Sequence, residues 1–410
     1  MVTWVLVPRA FDNPHRWVVL GVFLLVAGLS QAVWLNFAPL LSYVQLRYGV
    51  SEDAAGLLIL VFPALYVLLS IPSGLFIDRR GYRATLRLAA AGMAICSLLR
   101  VFDGGFVWLL AAQIGLAAFQ PFAVNAISKL VLDWFAPEQR ALATGLGTMG
   151  MFLGMAVGIA ATPMMVEAWD FQGAMAVWAG IAALLCVTCF ALVRENSGGG
   201  AVPAELGVRA SLRPLLTSRP LVLLFLVAAL GLGYFNGITT WLEPILAQRG
   251  MDAVQAGVAG GVLILGGIVG AAIIPALSDR FRRRKPFVLA SVIAAGLSLA
   301  PAVQSEVYTT VLIACALQGF CFLPAFALLL EMCSELAGAT LAGSATSILM
   351  LAGNAGGVLV IVAMVMLKDG DGSWAPAVLL LFGLLAAAGL GALLLPETYP
   401  RQRGPDAAGD

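Results

Sequence analysis

Polar and aromatic side chains stand in the middle of segments that are otherwise strongly apolar. Of the 410 residues, 61% are hydrophobic and 11% are charged, whereas an ordinary soluble domain carries about 25% charged residues. A polar side chain inside a long apolar segment is costly, so it marks a candidate binding or proton-transfer position. The candidates for binding a solute are Gln31, Trp34, Asn36, Gln120, Phe152, Tyr234, Phe235, Asn236, Trp241 and Asn354.

The aromatic members of this set favour the binding of an organic cation. Trp34, Phe152, Tyr234, Phe235 and Trp241 are of the types that build an aromatic box. Such a box attracts quaternary ammonium ions by cation–π interaction, worth about 2 kcal/mol for a desolvated contact. The alternative for both tryptophans is packing or an interfacial position.

The amide candidates have an alternative too. Gln120 and Asn354 could serve only to join neighbouring helices by hydrogen bonds.

Two carboxylates in apolar segments are candidates for proton coupling. Glu243 directly precedes Pro244, and Glu331 lies near one end of its segment. A carboxylate in apolar surroundings readily takes up a proton, because burial disfavours its charged form. Glu331 has two further interpretations, as a gate residue or as an interfacial one.

The sequence argues against an enzyme. The single histidine, His15, is interpreted as an interfacial residue, and the six cysteines as apolar packing residues. Cys186 and Cys189 form a C-x-x-C, but no second pair or nearby histidine completes a metal site. No G-x-x-x-x-G-K-[ST] motif occurs in the chain. We expect no catalytic residues, no metal and no cofactor.

Apolar runs long enough to cross a bilayer recur along the whole chain. A membrane-spanning helix needs about 20 apolar residues. Twelve such spans are predicted, at 17–43, 54–77, 84–102, 106–134, 141–166, 171–193, 219–247, 256–278, 286–303, 307–332, 340–367 and 374–395.

The basic residues predict how these spans are oriented. With twelve spans, nineteen of the 23 lysines and arginines fall on the side of the two termini and four on the other. Lysine and arginine concentrate on the cytoplasmic side of membrane proteins. Both termini are therefore predicted to be cytoplasmic.

The chain contains an internal repeat. Residues 196–216 form a polar linker between a six-helix bundle at 1–195 and a second one at 217–410. GLFIDRRGYR follows the second span and PALSDRFRRRK follows the eighth, so that Asp78 corresponds to Asp279. Glycines spaced four apart in the fifth and eleventh spans indicate close helix packing in both halves.

These features resemble the major facilitator superfamily. GLFIDRRGYR is similar to that family's loop signature between its second and third helices, and LLLPETYP at 393–400 resembles the end of its last helix. The resemblance implies an all-α membrane protein with two six-helix bundles related by a pseudo-two-fold axis. It also implies transport of a solute by alternating access.

The resemblance gives the repeated loop a role as a cytoplasmic latch between the halves. An aspartate at a helix C-terminus is disfavoured by the helix dipole and needs basic partners. The alternative is that the basic residues only anchor the loop on the inner side. The predicted latch residues are Gly74, Asp78, Arg79, Gly81, Arg83, Asp279 and Arg280.

A narrower resemblance points to a cargo. SQAVWLNFAPLLSYVQLRYGV and LPAFALLLEMCSEL look like the feline leukaemia virus subgroup C receptor family, whose members are associated with choline, ethanolamine and haem. That family holds choline with a tryptophan, a glutamine and a tyrosine. Trp34 matches the first, whereas Phe152 and Asn236 stand in place of the other two.

The expected function is secondary active or facilitative transport of a small organic solute, with a weak preference for a choline-like cation. A proton-coupled exporter of hydrophobic drugs or of an organic anion is the alternative, and a non-transporting receptor is a distant one. The expected partners are the solute, the lipid bilayer and protons as a candidate coupling ion, without nucleic acid. We expect a monomer in a bacterial inner membrane.

Overall fold

The computed structural model describes residues 13–196, 208–338, 341–368 and 372–399. Residues 1–12 and 400–410 at the two ends, and most of the predicted linker, lie outside these ranges. The predicted cytoplasmic location of the termini therefore stays a prediction.

The described part of the chain is helical throughout. The helices are α1 (His15–Leu35), α2 (Leu41–Tyr48), α3 (Glu52–Leu99), α4 (Gly105–Trp134), α5 (Pro137–Leu192), α6 (Val208–Thr217), α7 (Arg219–Ala247), α8 (Ala253–Phe281), α9 (Lys285–Gln304), α10 (Tyr308–Ala337), α11 (Ala342–Met366) and α12 (Ala375–Leu394). In the described ranges, ten helical stretches are long and apolar enough to cross a membrane.

The two longest helices each contain a break, which divides each of them into two membrane-crossing segments. α3 has 48 residues and loses helical geometry at Gly81 (φ 76°, ψ 166°). α5 has 56 residues and breaks at Trp169 and Asp170. Since about 20 residues cross the hydrocarbon core, the pieces on either side of each break suffice for one crossing. The ten stretches therefore supply the twelve crossings that the sequence predicts.

The first span differs from the predicted continuous helix over 17–43. α1 ends at Leu35, and a 3-10 turn at Ala38–Leu40 separates it from α2. Pro39 causes this interruption, because it lacks an N–H and its ring clashes with the preceding helical turn. The break leaves the first backbone N–H groups of α2 without partners inside their own helix.

Small residues bring α1 and α5 into backbone contact. A Cβ added to Gly154 would lie 2.0 Å from the carbonyl oxygen of Gly28, and one on Gly158 would lie 2.3 Å from that of Ala32. No side chain larger than hydrogen fits at either glycine. In a bilayer such close packing replaces the hydrophobic force as the source of helix association.

The same arrangement recurs between α7 and α11. A Cβ on Gly356 would lie 2.2 Å from the carbonyl oxygen of Ala229, and one on Gly353 would lie 2.7 Å from the side chain of Leu232. Of the two glycines spaced four apart in the eleventh span, Gly353 packs on Leu232 and Gly357 packs on the side chain of Asn236. Both contacts are with α7, so small residues perform equivalent packing in the two repeats.

Contacts divide the described chain into two units. The first holds residues 13–196 together with Thr239–Ile264, and the second holds 208–238 and 265–399. The end of α7 and the start of α8 therefore pack with the first unit. A Cβ on Gly257 would lie 2.7 Å from the carbonyl oxygen of Ile159 on α5. The boundaries of the two bundles at 1–195 and 217–410 are drawn from the sequence repeat and stay a prediction.

One end of the second unit is closed by a compact apolar cluster. Leu215 of α6, Leu221 of α7, Val288 of α9 and Leu395 after α12 are all buried in it. The short helix α6 is thereby attached to the second unit through Leu215.

We expect Gly154→Ala to destabilise the protein by about 1–3 kcal/mol, because its methyl group would force α1 away from α5. The matched control is Gly145→Ala on the same helix, where an added Cβ meets nothing within 4 Å. There the gain in helix propensity predicts an effect between zero and about 1 kcal/mol of stabilisation. Thermal unfolding midpoints in one detergent compare the two. Equal midpoints would show that the close contact does not limit stability.

Candidate functional site

The predicted binding residues fall in both units. Those in the first unit are Gln31, Trp34, Asn36, Gln120, Phe152 and Trp241, and those in the second are Tyr234, Phe235, Asn236 and Asn354. α7 supplies residues to both, because the division between the units runs through it between Ile238 and Thr239.

Trp34 lies near the end of α1 and is stacked on Phe62 of α3. The ring centroids are 6.3 Å apart with an interplanar angle of 26°. The indole is 7% exposed, and its Nε1 has no hydrogen-bond acceptor among the described residues. A buried N–H without a partner is unusual in a folded protein and points to a missing ligand or water.

Further polar atoms near the end of α1 and on α4 are also buried without a hydrogen-bond partner among the described residues. Gln31 and Asn36 are buried, and both amide atoms of Asn36 lack a partner within the described ranges. Nε2 of the buried Gln120 also lacks one there. This concentration of unsatisfied polar groups in the first unit is what a polar ligand requires.

Trp241 approaches α3 at a second point. Its indole lies against Gly56, where an added Cβ would be 2.4 Å from Cη2. Gly56 and Phe62 are six residues apart, so the contacts of Trp241 and Trp34 lie about 9 Å apart along α3. The two tryptophans are therefore neighbours along one helix of the first unit.

Glu243, two residues after Trp241 on α7, caps α2. Its Oε2 accepts a hydrogen bond of 3.2 Å from the backbone N–H of Ser42, and the residue is 4% exposed. A carboxylate at a helix N-terminus satisfies free N–H groups and is favoured by the helix dipole. A residue from the second half of the sequence thus stabilises the break in the first span.

Two other candidates have less to support them. Phe152 of α5 and Asn354 of α11 are only partly buried. The Nδ2 of Asn354 donates to the carbonyl oxygen of Met350 one turn earlier, at 2.9 Å. The bond lies within α11 and not between two helices.

In the second unit, Tyr234 belongs to a chain of hydrogen bonds. Ser298 of α9 donates to Oε1 of Gln318 at 2.7 Å, and Gln318 Nε2 donates to the hydroxyl of Tyr234 at 2.5 Å. Phe322 of α10 packs against both neighbouring aromatic residues of α7, with centroids 4.9 Å from Tyr234 and 6.4 Å from Phe235. These rings form a buried aromatic cluster.

Asn236 is held between α7 and α11. Its Nδ2 donates to the carbonyl oxygen of Leu232 at 2.8 Å, and its side chain contacts the position that a Cβ on Gly357 would occupy. The glycine makes room for this amide.

The first copy of the repeated loop contacts the residues that directly follow α5. Gly81 adopts a positive φ, which glycine tolerates at no steric cost. Tyr82 then donates to the carbonyl oxygen of Arg194, and Arg83 lies 4.0 Å from Glu195. Asp78 is exposed and forms no ion pair with a residue that the structure describes.

The other latch candidates of this copy take different positions. Arg79 and Arg80 are exposed, whereas Gly74 is partly buried within α3.

The second copy centres on Arg284, which the sequence analysis does not single out. Its Nη1 lies 2.6 Å from Asp279 and 2.9 Å from Glu331, and its Nη2 lies 3.3 Å from Glu335. Of the two predicted latch residues of this copy, Asp279 has Arg284 as its partner within the second unit, and Arg280 is exposed. Glu331 is thus placed at the loop end of α10, next to a cation.

The segment after α12 completes this cluster. Glu397 accepts a 2.7 Å hydrogen bond from the backbone N–H of Arg284, and Thr398 donates to Glu335. The guanidinium also lies 5.0 Å from the ring of Tyr399. The PETY sequence is therefore a set of contacts for Arg284.

Phe62, Phe322, Ser42 and Arg284 are the candidates that sequence reasoning missed. The two phenylalanines carry no signal, because apolar residues are expected everywhere in these spans. Arg284 carries a sequence signal, because it follows Asp279 at the same spacing at which Arg83 follows Asp78. Within the described ranges, no group of three histidine, cysteine or acidic side chains could hold a metal.

Comparison with known proteins agrees with this architecture. The family model described as Major Facilitator Superfamily matches residues 23–361. The chain is 25% identical over 422 residues to the D-galactonate transporter of Escherichia coli, an alignment covering 95% of this chain and 97% of that one. It is 23% identical over 297 residues to the choline/ethanolamine transporter flvcr2a of Danio rerio, covering 67% and 63%.

The fold itself has a counterpart among solved structures. A bacterial homologue of the human lysosomal transporter Spinster, in an inward-facing and unoccupied conformation, superposes with a TM-score of 0.70. It is 18% identical and the match covers 93% of this chain and 95% of that one. Among relatives from animals, the matched region spans between 51% and 76% of the relative's own length.

The resemblance inferred from the loop signature and the predicted fold class are thus confirmed. This multi-pass membrane protein belongs to the Major Facilitator Superfamily and is a transporter of small solutes, not an enzyme.

Proposed function

We propose that the cargo is a small organic cation of the choline type, moved by alternating access. The observation that carries this proposal is the buried Trp34, stacked on Phe62 with an unpartnered Nε1. An indole face attracts a quaternary ammonium ion more strongly than any other aromatic side chain does. The likeness to a choline/ethanolamine transporter supports the same class of cargo.

The polar atoms around the end of α1 suit the other end of such a molecule. Choline carries a hydroxyl group beside its ammonium, and the free amide of Asn36 can both donate to it and accept from it. Gln120 offers a further donor. Binding would then satisfy groups that are buried without partners.

Alternating access requires a contact between the two sequence repeats that can open and close. The packing of Gly257 on Ile159 and the cap from Glu243 to α2 each join residues from the two halves of the sequence. We propose that these contacts open and close one end of the pathway. The repeated loops, with Asp78 and Asp279, would serve the opposite, cytoplasmic end.

Glu243 is the better of the two candidates for proton coupling. It is buried and hydrogen-bonded to Ser42, whereas Glu331 has a cation 2.9 Å away. Protonation of Glu243 would weaken its cap on α2 and so favour release of this contact. Proton uptake and opening would thereby be linked.

An organic anion is the second candidate cargo. Arg100 at the end of α3 is 1% exposed, and the only hydrogen bond of its side chain in the described ranges runs from Nη1 to Gln113 at 3.3 Å. No carboxylate of a described residue lies within 4 Å of this cation. The likeness to a galactonate transporter supports an acidic cargo as well.

We further propose a monomer in a bacterial inner membrane, with both termini in the cytoplasm. The distribution of lysine and arginine supports the orientation.

We expect Trp34→Ala to weaken choline binding about thirtyfold, since a desolvated cation–π contact contributes about 2 kcal/mol. Trp34→Phe keeps an aromatic face and should retain most of the affinity. The control is Trp178→Phe in the same unit, because the indole of Trp178 already donates to Thr162. A thermal-shift titration with choline, followed by uptake into proteoliposomes, measures the effect. Unchanged affinity in Trp34→Ala would refute the proposed site.

We expect Glu243→Gln to abolish the effect of a proton gradient on uptake while leaving the protein folded. Glutamine keeps an acceptor oxygen for the N–H of Ser42 but cannot bind and release a proton. Glu167→Gln, at an exposed carboxylate of α5, is the control and should respond to the gradient as the wild type does. Uptake in proteoliposomes with and without an imposed gradient decides. A gradient response that survives Glu243→Gln excludes this residue as the coupling site.

We expect Arg284→Gln to lower the free energy of unfolding by about 1–3 kcal/mol, because it leaves Asp279, Glu331 and Glu335 unbalanced. The value stays below that of a fully buried pair, since two of these carboxylates are partly exposed. Adding Glu331→Gln should restore part of the loss. Arg283→Gln, at an exposed neighbour, is the control. Melting curves of the four proteins test this, and an Arg284→Gln protein as stable as the control would contradict it.

A further inference from the structure

We propose that the loop between α8 and α9, together with the end of α6, is a binding site for anionic phospholipid headgroups. Five of the six residues from 280 to 285 are basic. Basic clusters directly beside a membrane-spanning helix attract anionic lipids. The occupant that we infer is the phosphate-bearing headgroup of an acidic lipid of the same bilayer.

Internal pairing leaves Arg280 and Arg283 available. Arg284 is neutralised by Asp279, Glu331 and Glu335, and Glu397 binds the backbone at the start of α9. Lys285 donates to the carbonyl oxygen of Leu393. Arg280 and Arg283 are exposed, and their side chains form no ion pair with a described residue.

An exposed aromatic residue stands between these arginines. Phe281, the last residue of α8, is 63% exposed and contacts Phe287 at a centroid distance of 6.0 Å. Segments that lie in the membrane interface combine phenylalanine and leucine on an apolar face with lysine and arginine on a polar face. Basic and aromatic side chains together match a surface that is anionic outside and apolar beneath.

α6 extends the same surface. Leu215 is buried in the apolar cluster against which Phe287 packs, so α6 and the α8–α9 loop lie at one end of the second unit. Arg213 and Arg219 are exposed there, as is Leu216. A short helix with exposed basic and apolar residues is typical of a segment lying in the membrane interface.

The first copy of the loop lacks this combination and supplies a natural comparison. Phe281 corresponds to Arg80, and Arg283 corresponds to the buried Tyr82. The nearest preceding aromatic residue, Phe76, packs on Phe122 at 5.7 Å. The proposed lipid site is therefore specific to the second copy of the loop.

The test counts lipids that stay bound to the purified full-length protein in mild detergent, by native mass spectrometry. Phosphatidylglycerol and phosphatidylcholine are added in equal amounts. We expect the wild type to retain phosphatidylglycerol preferentially, and Arg280→Gln/Arg283→Gln to lower that retention by on the order of tenfold. Arg79→Gln/Arg80→Gln, which removes the same number of exposed arginines from the first copy, should retain the wild-type amount. Phe281→Ala should reduce retention of the same lipid.

Several outcomes would overturn the proposal. Equal retention of both lipids by the wild type would show no preference for anionic headgroups. Equal losses in the two double variants would show general attraction between charges and no site. If the Arg280→Gln/Arg283→Gln protein does not fold, the single variants Arg283→Gln and Phe281→Ala decide by the same readout. Because no transport is measured, the result is independent of the proposed cargo.

Discussion

The close approach of helix backbones is the constraint on which the rest of the structure depends. Between α1 and α5, and again between α7 and α11, glycine and alanine leave no space for a larger side chain. Because lipid is as apolar as the spans themselves, helices gain little by hiding apolar surface from it, and intimate contact must provide the association. The four helices with this packing carry eight of the ten predicted binding residues.

A rigid contact of this kind permits polar groups to stay unsatisfied nearby. Trp34 near the end of α1 and Asn36 directly after it follow Gly28 and Ala32, so the α1–α5 contact helps to fix their positions. A solute that hydrogen-bonds to these side chains meets groups already held in place, which is a physical source of affinity.

Much of the fold can be predicted from the sequence, because membrane spans are governed by length and composition. The twelve crossings, the glycine contacts and the repeated loop follow from patterns that a bilayer imposes locally. The breaks within the spans are less accessible. Pro39 interrupts the first span, whereas Pro63, Pro121 and Pro324 lie inside continuous helices, so proline alone does not locate a break.

The candidate site is less completely predictable from the sequence, for a related reason. Polar residues in an apolar span are conspicuous, and Trp34, Tyr234 and Glu243 are candidates on that ground. Their partners Phe62 and Phe322 are ordinary residues in such a span, and only the folded chain shows them. The role of Ser42 cannot be predicted from its residue type, because it contributes a backbone N–H that every residue but proline possesses.

The exposure of Asp78 has a consequence for the ionic conditions in which this protein operates. The charge of Asp279 is balanced inside its own unit by Arg284, whereas Asp78 faces solvent. Mobile ions screen exposed charges over about 8 Å at physiological ionic strength, and partly buried pairs much less. The two loops, alike in sequence, are therefore unequal in their sensitivity to salt. Ionic strength can act on one of them while the other keeps its contacts.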